Sequence, residues 1–335
     1  MVKISSAAFA KFQKDLKKVR IAVIGDVMLD IYYWGKTERI SPEAPVPVVN
    51  VTDEEIKPGG AANVGLNVKS LGVEPVMFGI IGSDLYGLNF IDNLTEHRIN
   101  VENIIIDKKR PTTVKTRILA SNQHVVRFDK ESSADIGKKT EQKLLAQIEK
   151  KLSGTDAIIF EDYNKGMLTP NVIRSVIKMA EERKIMTAVD PKIKNFQCYK
   201  GVTLFKPNLR ETEEILKRRI KTESEIEKAG IDMMDKLELK NLVITLSDRG
   251  MAVFDQNAIM SIIPARSTRI ANVSGAGDTV IATLVSYMCA GASFEEACTI
   301  ANYAASIVVE DVSIIPVDPK QLFERLTESN VIGGK

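Results

Sequence analysis

Histidine and cysteine are scarce. The 335-residue chain holds two histidines, His97 and His124, and three cysteines, Cys198, Cys289 and Cys298, with no CxxC spacing. That inventory excludes a typical Cys/His zinc cluster and a disulfide framework, and the cysteines read as reduced core thiols. An excess of one charge is lacking too. With 46 basic against 44 acidic residues, the net charge is +2 at pH 7, so there is no broad field to hold nucleic acid or an anionic membrane surface. The longest apolar stretch, Thr279 to Phe294, falls short of the ~18 residues of a membrane span, and its Thr, Ser and Gly content predicts a buried core helix. Ser5 to Arg20 mixes Lys with apolar residues at helical spacing and has no signal-peptide core, so the expected compartment is the cytoplasm. What is present is ordinary. Hydrophobic residues make up 44% and charged residues 27%, which describes a folded globular chain of one large domain or about two, at roughly 150 residues each.

Short apolar runs predict strands at Ile21 to Ile24, Val76 to Ile81, Ala157 to Phe160, Met186 to Val189, Val202 to Phe205 and Leu242 to Leu246. Helical periods lie between many of them, as in Asn171 to Arg183 and Arg210 to Arg219. Such alternation predicts an α/β fold with a mainly parallel central sheet flanked by helices. Asp26 and Asp30 follow the first run, and Asp162, Asp190, Asn208 and Ser247 follow later ones. In an open sheet these positions converge on the crevice at the strand C-terminal ends, although Asp, Asn and Ser also favour turns for their own sake. Two stretches break the pattern. Arg39 to Thr52, with Pro42, Pro45 and Pro47, reads as extended, and Thr112 to Asp129 alternates as strands do. Together they predict a small inserted sheet that could serve as a lid, at about 34–58 and 111–129. There is no internal repeat and no low-complexity linker.

The sharpest motif is Asn272-Val273-Ser274-Gly275-Ala276-Gly277-Asp278-Thr279, running directly into the apolar helix. Small residues at a helix start let free N–H groups receive an anion, so Gly275, Ala276 and Gly277 form a phosphate cradle by chemistry. No Lys follows the glycines, so this is not a Walker loop. Asp278 could take the proton from a hydroxyl attacking phosphorus, while the helix dipole alone would also favour an Asp there. Gly59-Gly60-Ala61-Ala62-Asn63 opens a second helix, and Asn63 offers both donor and acceptor to a polyol. Asp162-Tyr163-Asn164-Lys165-Gly166 and Asp190-Pro191-Lys192 each put an acid and a base past a strand. Such pairs suit a phosphorylated substrate and equally suit a surface ion pair. In Lys206-Pro207-Asn208-Leu209-Arg210-Glu211, Asn208 and Glu211 have capping-box spacing, and Glu211 could also hold a water-bound magnesium ion near ATP phosphates.

In this order, Gly25, Asp30, Gly59 to Asn63, Asn208 with Glu211, and Gly275 to Asp278 resemble the signatures of the ribokinase-like (PfkB) sugar kinases over nearly the whole chain. Ile40 to Val49, with Pro58 to Val64, Asp162 to Gly166 and Asp190 to Lys192, is similar to the members acting on heptose 7-phosphate, including the kinase half of bifunctional kinase–adenylyltransferases. The resemblance implies one ribokinase-like kinase domain over 1–335, with no adenylyltransferase domain. It implies transfer of the ATP γ-phosphate to the anomeric hydroxyl of heptose 7-phosphate, in nucleotide-heptose or lipopolysaccharide precursor synthesis. Asp278 would be the base, with Gly275, Ala276 and Gly277 as the anion hole. Asn208 and Glu211 would serve ATP and Mg²⁺, while Ser247, Gly250 and Asn302 would line the nucleotide pocket. Asp30, Gly59, Gly60 and Asn63 would grip the sugar, with Asp162 and Asp190 beside it. Lys115, Arg117, Lys165 and Lys192 are the candidates for the 7-phosphate. A homodimer through the inserted strands is also implied.

Three positions depart from the pattern. Ser274 replaces a more usual Thr, Arg210 stands beside Asn208 where a small or acidic residue is expected, and Val309 to Ile315 lacks the Gly-containing loop associated with a monovalent cation. Potassium dependence is therefore left open. The alternatives are a ribokinase-like kinase of another sugar or sugar phosphate, such as fructose 6-phosphate, and a catalytically silent sugar-nucleotide sensor. A dehydrogenase is disfavoured because Gly25 begins no GxGxxG fingerprint.

Overall fold

The computed structural model describes residues 2–120, 123–266 and 270–333. In chain order its strands are β1 (Arg20–Gly25), β2 (Val27–Ile40), β3 (Pro47–Gly60), β4 (Glu74–Ile81), β5 (Ile104–Ile106), β6 (Val114–Ala120), β7 (Gln123–Lys130), β8 (Ala157–Glu161), β9 (Met186–Asp190), β10 (Leu204–Phe205), β11 (Asn241–Thr245), β12 (Met251–Phe254) and β13 (Met260–Ile263). The helices are α1 (Ser6–Leu16), α2 (Ala61–Ser70), α3 (Leu85–Glu96), α4 (Lys138–Lys151), α5 (Pro170–Arg183), α6 (Leu209–Leu216), α7 (Glu223–Leu237), α8 (Ala276–Cys289), α9 (Phe294–Val308) and α10 (Pro319–Glu328).

Nine strands form the large sheet in the order β13-β12-β11-β10-β9-β8-β1-β4-β5. It is parallel except at β12 and β13, which return antiparallel beside β11. Its central strands are apolar along most of their length because both faces are covered. Ile21 and Val23 join the core under α1, α2, α8 and α9, while Ala22 and Ile24 point into the core under α4, α5 and α7. The apolar stretch from Thr279 is not one helix. α8 closes at Ala290, Gly291 follows with φ 94°, and Ser293 starts α9 through a capping box with Glu296. Among the described residues no helix is long and apolar enough to cross a membrane, and the three cysteines are free.

The small sheet has the order β3-β2-β6-β7. Its β2–β3 ribbon extends further inward than the segment expected at about 34–58. It starts at Val27, one residue beyond β1, and ends at Gly60, where α2 begins. Asp30 therefore sits on a strand of the small sheet rather than in a loop after β1. Alternation concealed this, because Val27, Met28 and Leu29 are all buried at the junction of the two sheets.

In α7, Gly230 lies flat against the Phe254 ring, and an added Cβ would stand 2.1 Å from Cζ. Gly230→Ala is expected to lower unfolding stability by about 1–3 kcal/mol through overpacking, read as a reduced urea midpoint.

Candidate active site

The C-terminal edge of the large sheet faces the first turn of α8. Gly275 is the N-cap with φ 80°, a conformation that glycine adopts without strain. A Cβ there would come 2.9 Å from Asn63 Nδ2, so the backbone lies close against the start of α2. Asp278, in the first turn of α8, is 5% exposed. Its Oδ2 accepts from Asn63 Nδ2 at 2.7 Å and its Oδ1 from the Tyr163 hydroxyl at 3.0 Å. Burial pushes its pKa up to about 6; the Asn63 hydrogen bond opposes this, nearby Asp190 adds to it, and Tyr163 and Lys206 oppose it. The result is a carboxylate fixed in orientation and basic enough to hold a proton, beside a helix start that can receive an anion.

Across from Asp278, Lys206 Nζ is 2.7 Å from Asp190 Oδ2, and both side chains are buried. A Cβ on Gly277 would stand 3.4 Å from that ammonium, so Lys206 places its charge at the helix start. Carboxylate oxygens of Glu161, Asp190 and Asp278 lie within 4.8 Å of one another. Lys192 pairs with Glu211 and stands 5.4 Å from the Tyr163 ring centroid. Its pKa is raised: burial opposes the charge, but Asp190 and Glu211 outweigh it. Glu211 closes the capping box: its N–H donates to Asn208 Oδ1 at 2.8 Å, and its Oε2 accepts from the Asn208 N–H at 2.9 Å.

The small sheet supplies the other wall. Asp30 and Arg117 form a buried ion pair, and the guanidinium lies 5.1 Å from the Tyr32 ring centroid. A Cβ on Gly59 would meet Asp30 Oδ2 at 2.0 Å, so glycine is what lets this carboxylate lie on the ribbon. Gly60, with φ 58°, passes close to the Asp26 carbonyl. Lys115 and Lys165 converge: both reach Glu131, at 3.4 and 2.7 Å, and Lys115 also meets Asp129 at 3.0 Å. Lys192 is not with them. Asp162 accepts from the Tyr199 hydroxyl at 2.9 Å, and burial followed by the Asp26 charge pushes its pKa up to about 7.

Ser247, with φ 58°, and Gly250, with φ 92°, shape the β11–β12 turn. Gly250 is pressed against the end of β13, where a Cβ would be 2.0 Å from the Ile263 carbonyl oxygen. Asn302 donates to the Pro264 carbonyl at 2.8 Å and so anchors the segment after β13. Sequence reasoning gave no role to Lys206, Tyr163 or Glu161. It placed Asp26 at the crevice without seeing its task, which is to accept from the N–H groups of Tyr163, Lys165 and Met167 at 3.0, 2.9 and 3.2 Å. An Asp directly after a central strand, followed far along the chain by Asp-Tyr-Asn-Lys-Gly after another, was the available signal.

An anion-receiving helix start against a buried carboxylate, on a doubly covered parallel sheet, defines a phosphotransferase-like architecture. Residues 18–321 match the pfkB family carbohydrate kinases, and the chain belongs to that family. It is 40% identical over 310 residues to the bifunctional protein HldE of Wolinella succinogenes, covering 92% of this chain and 65% of that one. Against the Geobacter metallireducens protein of the same name it is 39% identical over 306 residues, covering 91% and 62%. The chain thus spans less than two thirds of the length of these curated relatives. Its fold is similar to phosphofructokinase-2 from Escherichia coli, solved with potassium, at TM-score 0.76 and 17% identity over 92% of this chain and 99% of that one. Arabidopsis thaliana ribokinase, solved with ribose and ATP, gives TM-score 0.71 at 17% identity over 92% and 98%. The family and the ribokinase-like fold expected from Gly59 to Asn63 and Gly275 to Asp278 are borne out.

Asp26→Ala removes the acceptor of three amides. It is expected to lower stability by roughly 2 kcal/mol or more and to speed amide hydrogen exchange at 163–167, with the rest of the central sheet still protected.

Proposed function

We propose that this chain transfers the γ-phosphoryl group of ATP to the anomeric hydroxyl of D-glycero-D-manno-heptose 7-phosphate, giving the 1,7-bisphosphate used for nucleotide-heptose and lipopolysaccharide precursors. The observation that carries phosphoryl transfer is Asp278, buried and hydrogen-bonded on both oxygens in the first turn of α8, where the helix dipole favours an anion. The heptose assignment is supported by the resemblance of Ile40 to Val49 and Asp162 to Gly166, and by the HldE relatives.

The acceptor hydroxyl loses its proton to Asp278 as its oxygen attacks phosphorus, and the bond to the β,γ-bridging oxygen breaks. Gly275, Ala276 and Gly277 amides and the Lys206 ammonium meet the charge on the transferring group. Magnesium, when bound with ATP, would neutralise phosphate charge. Glu211 fits a hydrated ion rather than a bare one, because one of its oxygens already caps α6 and the other meets Lys192. Asn208, Ser247, Gly250 and Asn302 are assigned to the nucleotide side. Asp30, Gly59, Gly60 and Asn63 are assigned to the sugar, with Asp162 and Asp190 shaping the floor. Lys115 and Lys165, which share Glu131, suit the 7-phosphate, and Arg117 lies two residues beyond Lys115 on β6. A homodimer through the small sheet is proposed on the exposed Val125, Val126 and Phe128 of β7.

The first test is phosphorus NMR with Mg-ATP and heptose 7-phosphate, with fructose 6-phosphate and ribose in parallel. A new anomeric phosphate from the heptose alone is expected. Phosphorylation of another sugar would overturn the heptose assignment, and ATP binding without transfer to any of them would favour the silent sensor. Asp278→Asn is expected to keep ATP affinity and lose about 10²–10⁴-fold in kcat. Because the base must be ionised to accept a proton, kcat is expected to fall as pH drops through about 6, about tenfold per unit. Lys115→Ala and Lys165→Ala are each expected to raise the sugar-phosphate KM about tenfold with kcat little changed.

A further inference from the structure

Three neighbouring strands end in a row of charges. Ile159, Ala188 and Leu204 pair across β8, β9 and β10 and face the core under α8. Two residues on, the same face carries Glu161, Asp190 and Lys206, with Glu161 and Asp190 in direct register. Asp278 closes the group from α8, within 4.8 Å of both acids. Asp190 has Lys206 as its partner, and Asp278 has Asn63 and Tyr163. Glu161 is 1% exposed and its Oε2 has no partner. Room for it exists because Gly25 stands opposite on β1, where a Cβ would be 2.8 Å from its own Cβ.

We infer that Glu161 is a positioning residue for phosphoryl transfer: a neutral carboxylic acid that, packed in register with Asp190, keeps a third negative charge away from the Asp190–Lys206 pair beneath the first turn of α8. This rests on the proposed roles of Asp278 and Lys206. The charges decide it. Three buried carboxylates share one close ammonium, and a second, that of Lys192, is engaged with Glu211. Receiving a phosphoryl group here with all three ionised would set an anion against an uncompensated anion. A proton on Glu161, the one acid lacking a partner, removes a charge where no counterion is in place. Burial, with Asp190 and Asp278 adding to it, holds the Glu161 pKa well above the carboxylate range, against the opposing pull of Lys206 and Lys192. The groups facing it are thus Asp190, Asp278, Lys206, Lys192 and the Tyr163 hydroxyl. Lys206 already fills the cation position, so a proton suits the cluster better than a metal ion.

Glu161→Ala is expected to lower kcat by roughly ten- to a hundredfold, and Glu161→Gln, which keeps the shape and a donor, is expected to restore most of it. Wild-type kcat should decline on the alkaline side as Glu161 ionises, a limb the Gln variant lacks. Infrared difference spectra of substrate-free enzyme at pH 8 should show a protonated carboxyl band that is lost in Glu161→Gln. A Gln variant as inactive as Ala, or wild-type protein without that band, would overturn the inference, the former pointing to an anionic role such as holding a divalent cation. The infrared result does not depend on the sugar used, so failure of the heptose assignment remains distinguishable.

Discussion

A sheet edge that buries several carboxylates beside a helix start has to keep each charge matched, and the architecture around α8 follows from that constraint. In the proposed reaction, peptide amides at Gly275 to Gly277 would meet the transferring charge without a counterion to displace. Asp278 keeps its charge tolerable by spending both oxygens on Asn63 and Tyr163. Lys206, nearly inaccessible, is stabilised as an ammonium chiefly by the Asp190 carboxylate that pairs with it, against the cost of burial. None of these groups works alone. Removing any partner would leave a buried charge unmatched, which is far costlier than the pairing is stabilising.

The small sheet is held to this edge at few points, but firmly. β2 continues β1 through Asp26, and β3 runs into α2 through Gly60, so both strands of the ribbon are anchored beside the residues that hold Asp278. Ile314 adds a third tie. It packs with Tyr32 and Leu119 of the small sheet, and a Cβ on Gly275 would be 3.2 Å from its Cγ2. Lys57 of β3 also donates to the Ser313 hydroxyl at 2.8 Å. The segment from 309 to 315 thus touches both the ribbon and the Gly275 turn.

Much of the scaffold could be read from the chain because β1, β4, β8, β9 and β11 are continuous apolar runs bounded by polar residues. β12 and β13 have four residues each and β5 three, too few for any period to register. Gly275 to Asp278 and Asn208 to Glu211 announced themselves through composition and spacing, and both turned out to be helix starts. Glu161 and Lys206 did not. Their significance lies in β8, β9 and β10 being neighbours and in the face that α8 covers, and neither strand order nor facing is written in local sequence. Lys192 illustrates the opposite error. Its position after β9 resembled that of Lys165 after β8, yet strand order carried it to Glu211 instead of Glu131.

The Asp26 clamp has a consequence for how the protein comes into being. Its three amide donors lie 137, 139 and 141 residues downstream. As the chain is made from its N-terminus, β1 can pair with β4 early, but its other edge belongs to β8. Until Ala157 to Glu161 has been synthesised, the strand that becomes the middle of the sheet is an apolar strand with an open edge. Such an edge invites pairing with other chains. The long interval between Asp26 and Tyr163 is therefore the stretch of synthesis in which this protein most needs shielding, well before any residue of α8 exists.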